Sequence, residues 1–180
     1  MSRGLRTITV AGLAAASLAV VAPAFATTAP QLTYDPPRIL FEDLENDVSA
    51  EDVEVSRAGK DFRFLNNPVA PFSNDAECEG VPGGMDCPRA GVEKIVVNLG
   101  DLGDEVQINL GSVARDVKQV LRGEDGGDIL RGEKGSQTIR GGEGVDTLQG
   151  GAGPDFLDGG PGPDNCLGGP GNDTIIHCGP

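Results

Sequence analysis

A nine-residue period constrains this chain more than any other feature. Residues 123–176 divide into six consecutive nonapeptides without an insertion. Positions 1 and 4 are glycine in every copy, and position 8 is leucine or isoleucine except at Cys166. Position 6 is Gln137 in the second copy and aspartate in the other five, at Asp128, Asp146, Asp155, Asp164 and Asp173. Such a period predicts stacked solenoid coils, because each repeat needs its neighbours to bury its apolar residue.

The residue types at the fixed positions indicate a metal-dependent solenoid. Glycine permits positive φ and close approach of turn backbones, and aspartate supplies the hard carboxylate oxygen that calcium prefers. One apolar residue per nonapeptide makes a thin core, and carboxylates of neighbouring turns repel one another. Bound metal would offset both effects, so folding is expected to depend on it. The alternatives are a flexible acidic linker, against which the periodic position 8 argues, and a solenoid that binds no calcium, against which the five aspartates argue.

The repeats resemble those of the repeats-in-toxin (RTX, haemolysin-type) family, whose pattern is GGxGxDxUx. The resemblance covers residues 123–176. It implies an all-β, right-handed parallel β-roll, in which positions 1 to 6 form a turn, positions 7 to 9 form a strand, and Ca²⁺ lies between stacked turns. The side chain at position 8 is expected to face inward.

Two nonapeptides are expected to complete one coil, so that each turn stacks on the turn two repeats later. Each calcium site would then use the position-6 residues of two stacked turns. The pairs are Asp128 with Asp146, Asp146 with Asp164, Asp155 with Asp173, and Gln137 with Asp155. Because Gln137 is neutral, its site is expected to be weak or empty. Asp146 and Asp155 each serve two sites in this scheme, whereas Asp128 and Asp173 each serve one.

The first 26 residues are predicted to be a signal peptide. Arg3 and Arg6 precede an apolar run over residues 8–21, and the small-x-small pattern before Thr27 is typical of a cleavage site. The alternative is an uncleaved membrane anchor, but the run is shorter than the ~20 residues that span a bilayer. We therefore expect cleavage after Ala26 and a secreted, extracellular protein without membrane insertion.

Four cysteines, all downstream of the signal segment, predict disulfide bonds in an exported protein. Three connectivities are possible, and spacing favours the local one, Cys78–Cys87 with Cys166–Cys178. The second bond would pin the last residues across the end of the roll as a cap. The alternative is a zinc site, which lacks a CxxC pair and has a single histidine in the chain to draw on.

The remainder of the chain is predicted to be rich in strands. The expected division is a signal peptide (1–26), a strand-rich region (27–121), the β-roll (122–176) and a tail or cap (177–180). Residues 52–55, 62–64 and 106–110 alternate with the period of half-buried strands. Residues 113–121 are the only helix candidate, and residues 78–87 are expected to form a stapled surface loop.

These features predict a secreted, non-enzymatic calcium-binding protein. A net charge of −14 excludes nucleic acid as a partner class, because phosphate recognition needs a basic surface. The sequence contains no recognisable catalytic constellation, and the single histidine, His177, is interpreted as a tail residue. One alternative is a calcium-dependent adhesion or interaction module with an unknown protein or glycan partner. The other is a small secreted hydrolase.

Overall fold

The alternation of apolar and polar residues produces strands whose inward faces share one core. The structure, a computed structural model, describes residues 31–35, 38–42, 52–67 and 78–179. The elements are β1 (Gln31–Asp35), β2 (Arg38–Glu42), β3 (Asp52–Ala58), β4 (Asp61–Asn67), β5 (Glu79–Val81), β6 (Gly84–Pro88), β7 (Lys94–Gly100), β8 (Glu105–Asn109), a 3-10 helix η1 (Gly111–Asp116), β9 (Lys118–Gly126), β10 (Ile129–Arg131), β11 (Gln137–Gly144), β12 (Thr147–Gln149), β13 (Phe156–Asp158), β14 (Asn165–Leu167) and β15 (Thr174–Ile176).

The strands form two sheets between which the chain alternates. One sheet has the order β1-β2-β7-β9-β11-β13-β15, and the other has the order β14-β12-β10-β8-β3-β4-β6-β5. From β7 onward consecutive strands go to opposite sheets and pair in parallel with the strand one coil away. The result is a parallel β-solenoid of about four turns over residues 94–176. The fold class expected from the repeats is therefore confirmed.

The register confirms that two nonapeptides make one coil. Leu130 pairs with Leu148, and Ile139 pairs with Leu157, each eighteen positions further along the chain. These four position-8 side chains are at most 1% exposed. Parallel pairing also continues upstream, because β2 pairs with β7 and β3 pairs with β8. There the core widens to include three fully buried aromatic rings, Phe41, Phe62 and Phe64.

Two local expectations were wrong. Residues 113–121 are helical only in their first four residues: the 3-10 helix η1 ends at Asp116, and β9 begins at Lys118, where the apolar Val120 and Leu121 are buried in the core. Residues 78–87 are not a surface loop either. Strands β5 and β6 form an antiparallel hairpin there, and the hairpin places the Cys78–Cys87 disulfide in the core.

Both local disulfides are present, Cys78–Cys87 and Cys166–Cys178. No cysteine is free, which removes the zinc alternative. The second bond fixes residues 177–179, here called the closing segment, across one half of the last coil. The segment does not cover the other half, because Ile175 is still 44% exposed.

The predicted signal peptide lies outside the described residues, and the proposed domain boundaries stay predictions. Within the part of the chain that the structure describes, no helix has the length and apolar character needed to cross a membrane.

Candidate metal centre

The stacked turns align the position-6 side chains into two ladders. The first ladder is Asp104, Asp128, Asp146 and Asp164, and the second is Gln119, Gln137, Asp155 and Asp173. All of these residues except Asp173 are at least nine-tenths buried. Carboxylates of neighbouring turns are thus held in one column away from water, which is costly unless a cation or a proton compensates.

In the five aspartates of the repeats, Oδ1 accepts a hydrogen bond from the backbone amide of the preceding residue in the same ladder. The amide of Asp128 donates to Oδ1 of Asp146 at 2.9 Å, and the amide of Asp146 donates to Oδ1 of Asp164 at 2.9 Å. In the second ladder, the amide of Gln137 donates to Oδ1 of Asp155 at 2.9 Å. These bonds tie each turn to the next and fix the orientation of each carboxylate.

The second carboxylate oxygen has no hydrogen-bond partner. Oδ2 is buried and unpartnered in Asp128, Asp146, Asp155 and Asp164. Each Oδ2 lies beside the position-1 glycine of its own repeat, where a side chain would otherwise begin. At Gly150, a Cβ would lie 2.5 Å from Oδ2 of Asp155 and 2.8 Å from the carbonyl oxygen of Gly168 in the next coil. We call this meeting point of Oδ2 and the next position-1 carbonyl a glycine slot.

The glycine slots fit a hard cation such as calcium. Among the described residues, no group of three or more His, Cys, Asp or Glu side chains could hold a metal ion. A bound cation would therefore depend on backbone carbonyls as well as aspartate. Calcium accepts both ligand types, and each slot joins a carboxylate oxygen to a carbonyl. A buried, unsatisfied oxygen in each of four slots is the feature that a cation would neutralise.

Gln137 and Gln119 fill the corresponding part of the second ladder with neutral amides. Nε2 of Gln137 donates to the carbonyl of Lys134 at 2.8 Å, and Nε2 of Gln119 donates to the same carbonyl at 3.0 Å. Both side-chain amides thus donate to the carbonyl oxygen of Lys134, which is then less available as a ligand for a cation. Oε1 of Gln137 is buried without a hydrogen-bond partner, as Oδ2 of the aspartates is, but it carries no charge. Weak or absent calcium binding at the Gln137 position stays a prediction.

Burial perturbs the ionisation of the ladder. It raises the pKa of Asp128 to about 7; the charges of Asp146 and Asp104 add to this, while the hydrogen bond from the amide of Asp104 acts in the opposite direction. Burial also raises the pKa of Asp146 and Asp155, with added repulsion from the next aspartate in each ladder. Near neutral pH the carboxyl of Asp128 is therefore partly protonated in the metal-free protein, and calcium binding there must displace a proton.

Calcium affinity is expected to fall as the pH drops below 7. At pH 6 the Asp128 carboxyl is mostly protonated, so the apparent affinity of its site should be about tenfold weaker than at pH 8. Calorimetry at pH 6, in two buffers of different ionisation enthalpy, should show proton release on calcium binding. Equal affinity at both pH values with no proton release would show that the buried carboxyls are already ionised.

The five aspartates singled out from the sequence occupy equivalent places, with one difference at the end of the roll. Asp173 is only partly buried, and the three atoms nearest to a Cβ at Gly168 all belong to Asp173 itself. Its slot therefore lacks the carbonyl of a further coil, unlike the slots of Asp146 and Asp155.

The first residue of each ladder, Asp104 or Gln119, was not predicted from the sequence. Asp104 follows a degenerate turn in which Gly100 and Gly103 stack on the first repeat. The six-residue η1 makes the step from Asp104 to Asp128 twenty-four residues instead of eighteen, so the nine-residue period does not reach it. The remaining signal was an aspartate followed by the alternating Glu105-Val106-Gln107. Gln119 offered no such signal.

Stacked parallel coils with glycine turns and buried position-6 aspartates define a β-roll with metal-binding turns. Residues 122–148 and 140–175 match the family model of the RTX calcium-binding nonapeptide repeat, in four copies. The resemblance seen in the sequence is thereby confirmed for this segment, and repeats of this family bind Ca²⁺. Comparisons of the chain with curated proteins and with solved structures gave no match.

Proposed function

We propose that this chain is a secreted, non-enzymatic calcium-binding protein. Calcium is bound between stacked turns through the carboxylates of Asp128, Asp146, Asp155, Asp164 and Asp173. The observation that carries the proposal is the buried, unpartnered Oδ2 in four of these residues, each facing the glycine slot of its own repeat. Bound calcium would neutralise these oxygens and join consecutive coils.

Three observations support the secreted and non-catalytic parts of the proposal. Both disulfides suit an oxidising compartment. Proteins with these repeats are typically secreted, and their β-roll is typically non-catalytic. The predicted signal segment ending at Ala26 would provide the export route.

A calcium-dependent interaction module is the second candidate. A groove of about 350 Å³ lies on the eight-stranded sheet at strands β3, β4 and β8. It is lined by Asp52, Val53, Glu54, Leu65, Glu105 and Gln107. The carboxylate of Glu105 is paired with Arg131, whereas those of Asp52 and Glu54 favour a cationic partner surface. If the groove is the purpose of the fold, an immobilised full chain should retain a partner in calcium and release it in chelator, and Glu54→Lys should abolish retention without changing the bound calcium.

Two matched substitutions test the ligand assignment by changing the number of bound ions in opposite directions. Asp146→Asn keeps an oxygen for the Asp128 amide but loses the free carboxylate oxygen, so about one calcium ion should be lost. Gln137→Asp removes the competing amide donor and adds a carboxylate, so about one ion should be gained. Calorimetry and metal analysis of the full chain measure both counts.

The two substitutions also control for each other, because each lies at position 6 of an interior turn. A loss of calcium in Asp146→Asn together with unchanged binding in Gln137→Asp would limit the proposal to the aspartates already present. Wild-type calcium content in Asp146→Asn would contradict the proposed ligand role.

A further inference from the structure

The closing segment, residues 177–179, lies where a further coil would stack on the turn that contains Asp164. Inside the roll, the glycine slot of each aspartate receives the position-1 carbonyl from eighteen residues further along, as Gly159 does for Asp146. The same step from Gly159 leads to His177. The carbonyl oxygen of His177 and Oδ2 of Asp164 are the two atoms nearest to a Cβ placed at Gly159.

Asp164 has a buried carboxylate oxygen without a hydrogen-bond partner, as the aspartates inside the roll do. The residue is 6% exposed, its Oδ1 accepts the amide of Asp146 at 2.9 Å, and its Oδ2 is buried without a hydrogen-bond partner. Asp173, at the open half of the same end, lacks a carbonyl from a further coil. The two halves of the last coil therefore differ in the presence of the closing segment.

We propose that the closing segment completes the calcium site of Asp164 at the end of the roll, in which the His177 carbonyl replaces the glycine carbonyl of a further coil. Asp164 belongs to the matched repeats, whereas His177 lies beyond them, because they end at residue 175. The proposal rests on the calcium-binding function proposed above and adds a ligand that the nonapeptide pattern does not contain.

Three contacts hold the His177 carbonyl in place. The Cys166–Cys178 disulfide attaches the next residue to the core position of the fifth repeat. The amide of Gly179 donates to the carbonyl of Asp164 at 2.9 Å, and Nδ1 of His177 lies 2.9 Å from Oδ1 of Asp158. His177 has φ of 48°, which residues other than glycine rarely adopt. Without these contacts the residue would relax and withdraw its carbonyl, so the disulfide acts as a positioning element.

The test compares calcium binding with and without the disulfide in the full, oxidised chain. In Cys166→Ala/Cys178→Ala, the site should lose its fixed carbonyl and bind calcium at least about tenfold more weakly, because the competent conformation becomes a minor one. Calorimetry should therefore show about one ion fewer at moderate calcium. The matched control is Cys78→Ala/Cys87→Ala, which removes the other disulfide and should keep the wild-type count.

A second variant keeps the test decisive if removal of the disulfide unfolds the roll. Asp164→Asn leaves the disulfide and the Asp146 hydrogen bond in place, and it should lose the same ion. Combining it with the disulfide variant should cause no further loss. Wild-type calcium binding in Asp164→Asn, or in a folded disulfide variant, would overturn the proposal. A wild-type chain that binds no calcium at all would instead overturn the proposed function.

Discussion

Removal of calcium at pH 8 is expected to unfold the nonapeptide roll while the upstream core stays folded. The first ladder holds four aspartates that are at most 6% exposed, and three of them have an unpartnered Oδ2. At pH 8 the carboxyl of Asp128, whose pKa is about 7, is ionised although it is buried next to Asp104 and Asp146, so the metal-free roll carries a buried charge that nothing compensates. Calcium that binds the folded roll and not the unfolded chain would stabilise the roll by about 2.7 kcal/mol per site at a hundredfold excess over Kd.

The upstream region, strands β1 to β6, does not depend on the two ladders for its folding. Phe41, Phe62 and Phe64 are fully buried there, and the Cys78–Cys87 disulfide closes the β5–β6 hairpin. Its strands β3, β4 and β6 pair antiparallel and require no glycine turns to stack. After loss of calcium, the nonapeptide roll should therefore be unfolded while the upstream region stays folded.

Hydrogen exchange with mass spectrometry measures this division directly. In chelator at pH 8, amides of residues 123–176 should lose protection, whereas those of residues 52–65 and 84–88 should keep it. Calcium on the order of 10⁻⁴–10⁻³ M should restore protection. Magnesium at the same concentration is the control and should restore little, because it demands a smaller, more regular shell. Full protection of the roll in chelator would contradict the proposed dependence on calcium.

The pH dependence of the metal-free roll follows from the same raised pKa values. Because the folded-state pKa of Asp128, about 7, exceeds the unfolded value, its contribution to stability is greatest below about pH 4 and is lost as the pH rises toward 7. The chelated roll should therefore regain part of its protection at pH 5. In calcium the trend reverses, because protons then compete with the ion.

The parts of this fold that were predictable from sequence are those set by repetition. The nine-residue period predicts that identical turns repeat one geometry, and the family resemblance adds the two-repeat coil, with the inward position 8 of Leu148 and the stacking of Asp146 on Asp164. Upstream, the turn that precedes Asp104 has Leu102 in place of the position-4 glycine, and η1 changes the length of the coil. Neither feature leaves a periodic trace in the sequence.

The closing segment was predictable only in part. The spacing of Cys166 and Cys178 favoured a local disulfide, because a short loop joins the two residues. The position of the His177 carbonyl was not foreseen, since position 1 is glycine in every repeat and His177 is not. Its place depends on tertiary contacts with Asp158 and Asp164 that have no counterpart in the repeat pattern.

Gly144→Ala is expected to be among the most damaging single substitutions in the roll. Gly144 has φ of 146°, and a Cβ there would overlap the carbonyl oxygen of Gly126 in the preceding coil. On its other side, the amide of Gly144 donates to the carbonyl of Pro161 at 3.0 Å. The turn cannot move away from one neighbour without disturbing the other. We expect a loss of about 3 kcal/mol or more in the calcium-loaded protein.

Two further glycines separate the causes of this loss. Gly91 also has positive φ, 82°, but a Cβ there meets nothing within 4 Å, so Gly91→Ala should cost only about 1–2 kcal/mol of backbone strain. Gly127 lies in the roll without positive φ, and a Cβ would be 3.4 Å from the carbonyl of Val145. Gly127→Ala should therefore change stability by less than about 1 kcal/mol.

Urea denaturation at saturating calcium ranks the three variants by their free energy of unfolding. A Gly144→Ala protein as stable as Gly91→Ala would show that the stacked turns separate easily. Such a result would also weaken the calcium sites, because their glycine slots require the same close stacking of Gly126, Gly144 and Gly162.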